Sequence, residues 1–302
     1  MALQPGKKTV LITGCTPGGI GHALALEYHA KGLHVIATAR RPEVMKDLAE
    51  AGMTTLPLDV TNTESIEKCK KAVSELTGGR LDILVNNAGG SIVVPATDMD
   101  LDDVRRMFEA NVFGVMAMVQ AFTPLLIAAK GLIIMISSLS SVTPYVFASA
   151  YGASKAALNA YSRTLRMELR PFGVRVMVSM TGTVRSLNKD TQVHKPLPAD
   201  SLYQRIRDVF EWRLNYSQTD GTVDTRKFAG QLARKSLQPE WPIMLRAWFG
   251  RPDWFWAGGL AGRVWLARTL LGEWIIDVQC WKKFQLWKLE AMVKQDEAKK
   301  QK

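Results

Sequence analysis

Thr9-Val10-Leu11-Ile12-Thr13-Gly14-Cys15-Thr16-Pro17-Gly18-Gly19-Ile20-Gly21 reads as a buried strand, a glycine-rich turn and the opening of a helix. The unbroken apolar run suits a strand covered on both faces, as parallel sheets require. Glycines in the turn let the backbone reverse tightly and let a pyrophosphate approach it. The helix N-terminus behind them offers N–H groups and a positive dipole end. Thr13, Gly14, Cys15, Thr16, Gly19 and Ile20 are therefore candidate nucleotide contacts. A glycine-rich turn also serves packing alone in many α/β chains. Its place directly after the first strand is what points to a dinucleotide.

Outward from this stretch, short apolar runs alternate with helical patterns. Strands are expected at 34–38, 54–58, 82–85, 132–136 and 174–178. Helices are expected at 20–31, 42–51, 64–76, 101–128 and 151–170. Alternation of this kind implies right-handed crossovers and a doubly wound parallel sheet of the Rossmann type. After Gly182 the pattern changes. Residues 183–222 are polar, contain Pro196 and Pro198, and are expected to form a mobile flap over the substrate. All nine Trp lie at or after Trp212, and 258–293 carries two helical patterns rich in Trp, Leu, Arg and Lys. Composition thus divides the chain into a catalytic unit, 1–236, and a Trp-rich helical C-terminal extension, 237–302. The Lys- and Glu-rich tail after Val293 is expected to fray.

The 302 residues are 47% hydrophobic and 22% charged, which excludes a disordered chain. Cys15, Cys69 and Cys280 have neither metal-ligand spacing nor a disulfide-rich pattern. A reducing, intracellular compartment is expected, cytosolic or peripheral to a membrane. No apolar signal region opens the chain, and no uninterrupted apolar run reaches the ~18 residues of a membrane span. The formal charge of +11 suits phosphate-bearing ligands or an anionic membrane, and equally a solubilising surface. The basic residues are dispersed and no nucleic-acid motif is present, so nucleic acid is not an expected partner.

The second strand ends in Ala39-Arg40-Arg41. An acidic residue there would bind a ribose 2′-hydroxyl, whereas two guanidiniums suit a 2′-phosphate. The expected cofactor is NADPH/NADP+. Asp59-Val60 follows the third strand, where a carboxylate would meet the adenine amino group. Asn87-Ala88-Gly89 follows the fourth, and its small residues leave room for ribose.

Tyr151 and Lys155 stand four apart on a predicted helix and share a face. Ser138 ends the preceding strand, where an open α/β sheet places its ligand. A nucleophilic Ser without a paired His and acid argues against a hydrolase. Ser, Tyr and Lys together suit proton transfer to a carbonyl oxygen.

In this order, T-G-x(3–4)-G-x-G, N-N-A-G and S-x12-Y-x3-K resemble the short-chain dehydrogenases/reductases over 8–183. The resemblance implies a tetrad of Asn111, Ser138, Tyr151 and Lys155. Ser138 and Tyr151 would hold the carbonyl oxygen, and Tyr151 would donate its proton. Lys155 would depress the phenol pKa from its usual ~10 and hold the nicotinamide ribose. Asn111 would position a water that returns the proton through Lys155. Thr183, Val184 and Ser186 would meet the nicotinamide carboxamide.

The turn is one residue longer than the common family form, and Thr181-Gly182 stands where Pro-Gly is usual. Both features resemble fungal NADPH-dependent 1-acyl-dihydroxyacetone-phosphate reductases. The alternative substrate is a polyketide, terpenoid or alkaloid ketone of secondary metabolism. A positively charged pocket would favour the phospholipid precursor, and a broad pocket lined by Trp and Phe the natural product. A third reading is a dinucleotide-binding protein without hydride transfer, against which the intact Ser–Tyr–Lys set argues. The resemblance further implies a homo-oligomer built on the long helices near Asn111 and Tyr151. Trp254, Trp256, Trp265, Trp274, Trp281 and Trp287, interleaved with Arg251, Arg263, Arg268, Lys282, Lys283 and Lys288, suit contact with a lipid interface, a subunit or the sheet.

Overall fold

Runs such as Val10-Leu11-Ile12 and Ile133-Ile134-Met135 have no polar face, and all six residues are fully buried. The computed structural model places them at the centre of the chain's main sheet. It describes residues 6–186, 192–219, 221–242, 244–245 and 249–301, apart from the side chains at 192–194 and 217. In chain order the elements are β1 (Thr9–Thr13), α1 (Ile20–Ala30), β2 (His34–Ala39), α2 (Lys46–Glu50), β3 (Thr54–Pro57), α3 (Thr63–Thr77) and β4 (Ile83–Asn86). There follow β5 (Ser91–Val93), α4 (Leu101–Phe108), α5 (Gly114–Ala129), β6 (Leu132–Ile136), α6 (Ser149–Leu169), β7 (Arg175–Thr181), β8 (Val184–Arg185) and β9 (Gln192–His194). The last are α7 (Arg207–Thr219), β10 (Val223–Asp224), α8 (Thr225–Ser236), β11 (Trp254–Ala257), α9 (Ala261–Leu271), α10 (Trp274–Lys283) and α11 (Leu286–Lys300).

Seven strands pair in the order β11-β7-β6-β4-β1-β2-β3, all parallel. Alternate residues along each strand feed opposite cores. Val10, Ile12 and Ile134 face α1 and α8, with Leu24, Phe228 and Leu232. Leu11, Ile133 and Met135 face α3, α5 and α6, with Val73, Phe122 and Leu158. The strand order reverses between β1 and β4. The crevice beyond their C-terminal ends is where such a sheet receives a ligand.

Three expectations change. The boundary at 236/237 does not hold, because β11 lies within 237–302 and forms the sheet edge beside β7. Its Trp254 and Trp256 pack on one core and Phe255 and Ala257 in the other, the period-2 pattern of a strand with two covered faces. Three helices, not two, follow it, and the last continues to Lys300 rather than fraying at Val293. Leu286 and Leu289 anchor that helix on a small cluster with Phe147, Ile206 and Phe210. Within the expected flap, α7 is a regular helix and β9 pairs with β5. Residues 187–191 and 220 of the flap lie outside the described residues.

Leu101–Ala129 forms one helical rod, interrupted by a π-helical turn at Glu109–Phe113. By length and composition the rod could cross a membrane, yet half of its apolar window is buried in the protein. Val115, Met118, Val119 and Phe122 join the sheet core, so burial accounts for its apolarity.

Candidate active site

The nucleotide end is built by steric exclusion. Gly14 has φ +75°, a region a side chain resists. A β-carbon at Gly21 would collide with the Gly14 carbonyl oxygen and with Asn87 Nδ2. Asn87 Nδ2 donates to the carbonyls of Thr13 (2.8 Å) and Gly14 (3.0 Å), tying the turn to the β4 end. Thr13 Oγ1 accepts from the backbone N–H of Asn87 (3.0 Å) and Ala88 (2.9 Å). Thr13 is thus a buried brace beneath the cavity. Gly19, in extended conformation, caps α1, and no side chain satisfies the first helical amides. Gly14, Thr16, Gly19 and Ile20 border the cavity, leaving those amides available to an anion.

Cys15 does not join them. It is fully buried, its N–H donates to the Thr38 carbonyl (2.8 Å), and its thiol donates to the Ile12 carbonyl (3.4 Å). Burial pushes the thiol pKa up to about 12, so it is an inert packing group. The extra residue of the long turn is accommodated because Cys15 points into the core. Arg40 borders the cavity and Arg41 lies outside its lining. Asp59 also borders it, with Oδ1 accepting from the N–H (2.9 Å) and hydroxyl (2.7 Å) of Thr61. Val60, Asn87, Ala88, Gly89, Val184 and Ser186 complete the expected contacts along its wall.

At the other end, α6 places Tyr151 and Lys155 one turn apart. Lys155 Nζ sits 5.8 Å from the Tyr151 ring centroid and donates to the Ile136 carbonyl at 2.9 Å. Burial lowers the Lys155 pKa to about 8. Burial raises that of Tyr151, partly countered by a hydrogen bond from Ser138. Ser138 Oγ accepts from Ser140 N (3.2 Å) and Ser140 Oγ (3.0 Å). A hydroxyl has two lone pairs and one proton. With both lone pairs engaged by Ser140, the Ser138 proton is directed at the phenol oxygen. Ser140 carries no sequence signal beyond its proximity to Ser138, and the role emerges from the short 3₁₀ turn Leu139–Ser141.

The π-helical turn carries Asn111 inward. Its Oδ1 accepts from Gly90 N (2.9 Å), and its Nδ2 donates to Gly90 O (2.9 Å) and Ser154 Oγ (3.0 Å). Ser154 Oγ in turn donates to the Tyr151 carbonyl at 2.8 Å. The amide expected to position a water braces the Gly89–Gly90 loop against α6. A β-carbon at Gly89 would stand 2.6 Å from Asn111 Oδ1 and 3.8 Å from Lys155 Nζ.

Nucleotide end, Ser138, Tyr151 and Lys155 open on one cavity of about 1210 Å³. That exceeds the ~300–1,000 Å³ of ordinary small-ligand sites, and accommodates a dinucleotide with a second molecule. Sequence reasoning missed its far wall, where α7, α9 and α10 contribute Arg213, Arg263, Ile276, Lys283 and Phe284. Nothing in the spacing of these residues marks them, since they come from three helices folded together. Thr183, Val184 and Gly182 form a knot at the join. Thr183 exchanges backbone bonds with Gly259 (3.1 and 2.9 Å), and a β-carbon at Gly182 would collide with the Gly259 carbonyl.

The profile of the short chain dehydrogenase family matches residues 8–196. A short-chain dehydrogenase of Aspergillus ruber is 39% identical over 283 residues, covering 94% of this chain and 95% of that protein. An NADPH-dependent 1-acyldihydroxyacetone phosphate reductase of Schizosaccharomyces pombe is 42% identical over 265 residues, 85% of this chain and 88% of its own. Among solved structures, a short-chain dehydrogenase from Streptomyces avermitilis superposes with a TM-score of 0.76 at 28% identity, covering 95% of this chain and all of that one. The seven-stranded parallel sheet agrees with the likeness to that structure. The chain belongs to the short-chain dehydrogenase family and is an oxidoreductase of alcohol and carbonyl groups.

Proposed function

We propose that the chain is an NADPH-dependent carbonyl reductase with Tyr151 as its acid. The observation that carries this reading is the hydrogen bond between the Ser138 and Tyr151 side chains, beside Lys155, in a cavity continuous with the glycine turn. The turn fits a dinucleotide: Gly14 and Gly21 leave no room for side chains, and the uncapped α1 faces the cavity. Arg40 at the end of β2 favours a 2′-phosphate.

When bound, the dinucleotide supplies the hydride to the carbonyl carbon. With a carbonyl bound, the Ser138 proton turns from the phenol to the carbonyl oxygen, and Ser138 and Tyr151 both hydrogen-bond that oxygen as negative charge gathers on it. Tyr151 then gives that oxygen its proton. The Lys155 ammonium stabilises the phenolate left behind, and the two N–H groups not given to Ile136 would hold the nicotinamide ribose. Asn111 keeps the Gly89–Gly90 loop and the first turn of α6 in register.

The substrate favoured is a 1-acyl-dihydroxyacetone phosphate, the compound in the name of the Schizosaccharomyces pombe relative. A bulky secondary-metabolite ketone is the second reading, favoured by the apolar wall of Ile92, Val93, Met107, Leu260 and Ile276. NADPH consumption against both classes of ketone tests the reading. Turnover of either class supports the reductase. NADPH binding with no turnover of any ketone would mark a non-redox nucleotide-binding protein.

We also assign the exposed Trp265, Leu266, Leu270 and Trp274 of α9 and α10 to contact with a lipid interface. Sedimentation with anionic vesicles tests this, and a chain that stays wholly in buffer overturns it. Exposed Phe113, Met167 and Phe172 on the long helices support a homo-oligomer, which light scattering would reveal.

A further inference from the structure

Arg213 is a buried guanidinium that no described carboxylate neutralises. It lies on α7, 2% exposed. Its Nε donates to the Val146 carbonyl at 2.9 Å. Its guanidinium carbon lies 3.8 Å from the Tyr145 ring centroid and 5.6 Å from that of Phe284. The groups felt electrostatically by Arg213 are Tyr145, Tyr216 and Cys280, none of them an acid with an ordinary carboxylate pKa. Removing an unpaired cation from water is costly, and stacking on aromatic faces offsets part of that cost. The group nevertheless borders the catalytic cavity, which gives it one remaining source of compensation, a ligand.

Two more cations border the same wall, Arg263 on α9 and Lys283 on α10. The carboxylates that border the cavity, Asp59, Asp103 and Glu109, come from other elements. Among the described residues no Trp lines it. Leu260, Val264, Ile276 and Phe284 border the same cavity, together with the polar Gln218 and Gln279. An aliphatic chain and an oxyanion are therefore both accommodated at this end.

We infer that Arg213 is the anchor for an oxyanion carried by the carbonyl substrate, a phosphate or a carboxylate attached to an aliphatic body, with Arg263 and Lys283 guiding it at the rim. The guanidinium's planar fork matches either group through two parallel N–H bonds. The Tyr145 and Phe284 rings fix the plane of the fork, and the Val146 bond ties it to the loop between Ser138 and Tyr151. An anion held there sets the distance between the substrate's charged end and its reacting carbonyl. Arg213 is thus a specificity-determining residue, and the inference rests on the reductase reading above.

Binding and turnover are measured separately, so that failure of one reading does not hide the other. Decyl phosphate, decanoate and decanol are titrated calorimetrically into the full chain saturated with NADP+. At least one anion is expected to bind tenfold or more tighter than decanol, and the two anionic arms show which oxyanion is preferred. Arg213→Gln removes that preference while NADP+ affinity stays within about twofold, and Arg263→Ala, on an exposed helix face, weakens it less. Equal binding of decanol and both anions, or an unchanged preference in Arg213→Gln, overturns the anchor. In turnover, Arg213→Gln should raise KM for an anionic ketone at least tenfold, with kcat for a neutral ketone little changed. A parallel loss on both ketones would make Arg213 a structural clamp and overturn its role in specificity. Anion binding without any turnover would instead retain the oxyanion site and overturn the reductase reading.

Discussion

Lys155 Nζ donates to the Ile136 main-chain carbonyl at 2.9 Å, joining α6 to the end of β6 beneath the reacting groups. The bond directs the ammonium and does not neutralise it, so the residue carries a burial cost. Its pKa falls from 10.5 to about 8. Between these values the unfolded chain holds a proton that the folded one lacks, so stability from this site rises with pH across that window. Below about pH 8 the penalty is fully present, on the order of 3 kcal/mol. Lys155→Met should therefore be more stable than the parent at pH 7. The advantage should shrink towards pH 10.5, while activity is lost throughout. Denaturant melts of both chains across this range check the sign; an advantage that grows with pH would contradict it.

Tyr151→Phe removes the proton donor and keeps the ring. Acid catalysis of this kind is worth about 10²–10⁴-fold, so kcat should fall by at least that much. NADPH affinity should stay within about twofold, since the lost hydroxyl faces the carbonyl. Retained turnover would take the acid role from Tyr151.

Ser140→Ala removes the hydroxyl that donates to Ser138 Oγ and keeps the backbone N–H that donates to the same oxygen. The Ser138 proton is then free to turn away from the phenol. A fall in kcat of roughly 2–10-fold, about the net worth of one hydrogen bond, is expected with little change in melting temperature. A parallel loss of stability would assign Ser140 to folding alone.

Gly89→Ala places a methyl group 2.6 Å from Asn111 Oδ1. Overpacking of this kind costs about 1–3 kcal/mol. Activity should fall further than stability, because the same loop borders Lys155. Pairing it with Asn111→Ala removes the clashing atom, so the double variant should be less destabilised than the two single effects combined. Simple additivity in thermal melts would show that the two residues do not meet.

Arg40→Asp exchanges a cation at the β2 end for the acid that suits a free ribose 2′-hydroxyl. The ratio of kcat/KM for NADPH over NADH should drop by about tenfold or more, as loss of a charge-assisted bond implies. An unchanged ratio would move 2′-phosphate recognition away from Arg40.

Much of the fold was legible because its signals are local. Thr9–Thr13 and Leu132–Ile136 announce covered strands by lacking a polar face. The glycine turn announces its function through conformations that a β-carbon forbids. Tyr151 and Lys155 are brought together by helical periodicity alone. The sequence missed what depends on long-range pairing. Trp254–Ala257 is a four-residue apolar run that becomes a sheet edge only because β7 offers it a partner. Cys15 turned inward, its N–H bonded to Thr38 at the end of the neighbouring strand.

By itself, then, the sequence determined the alternating elements, the glycine turn and the pairing of Tyr151 with Lys155, since each rests on backbone geometry within a few residues. Tertiary structure decided what stands around them. Ser140 hydrogen-bonds Ser138, Asn111 braces Gly90, and Arg213, Arg263 and Lys283 border one cavity from three helices. Hydrogen-bond direction and the cost of a buried charge are set by neighbours in space, and no spacing along the chain encodes them.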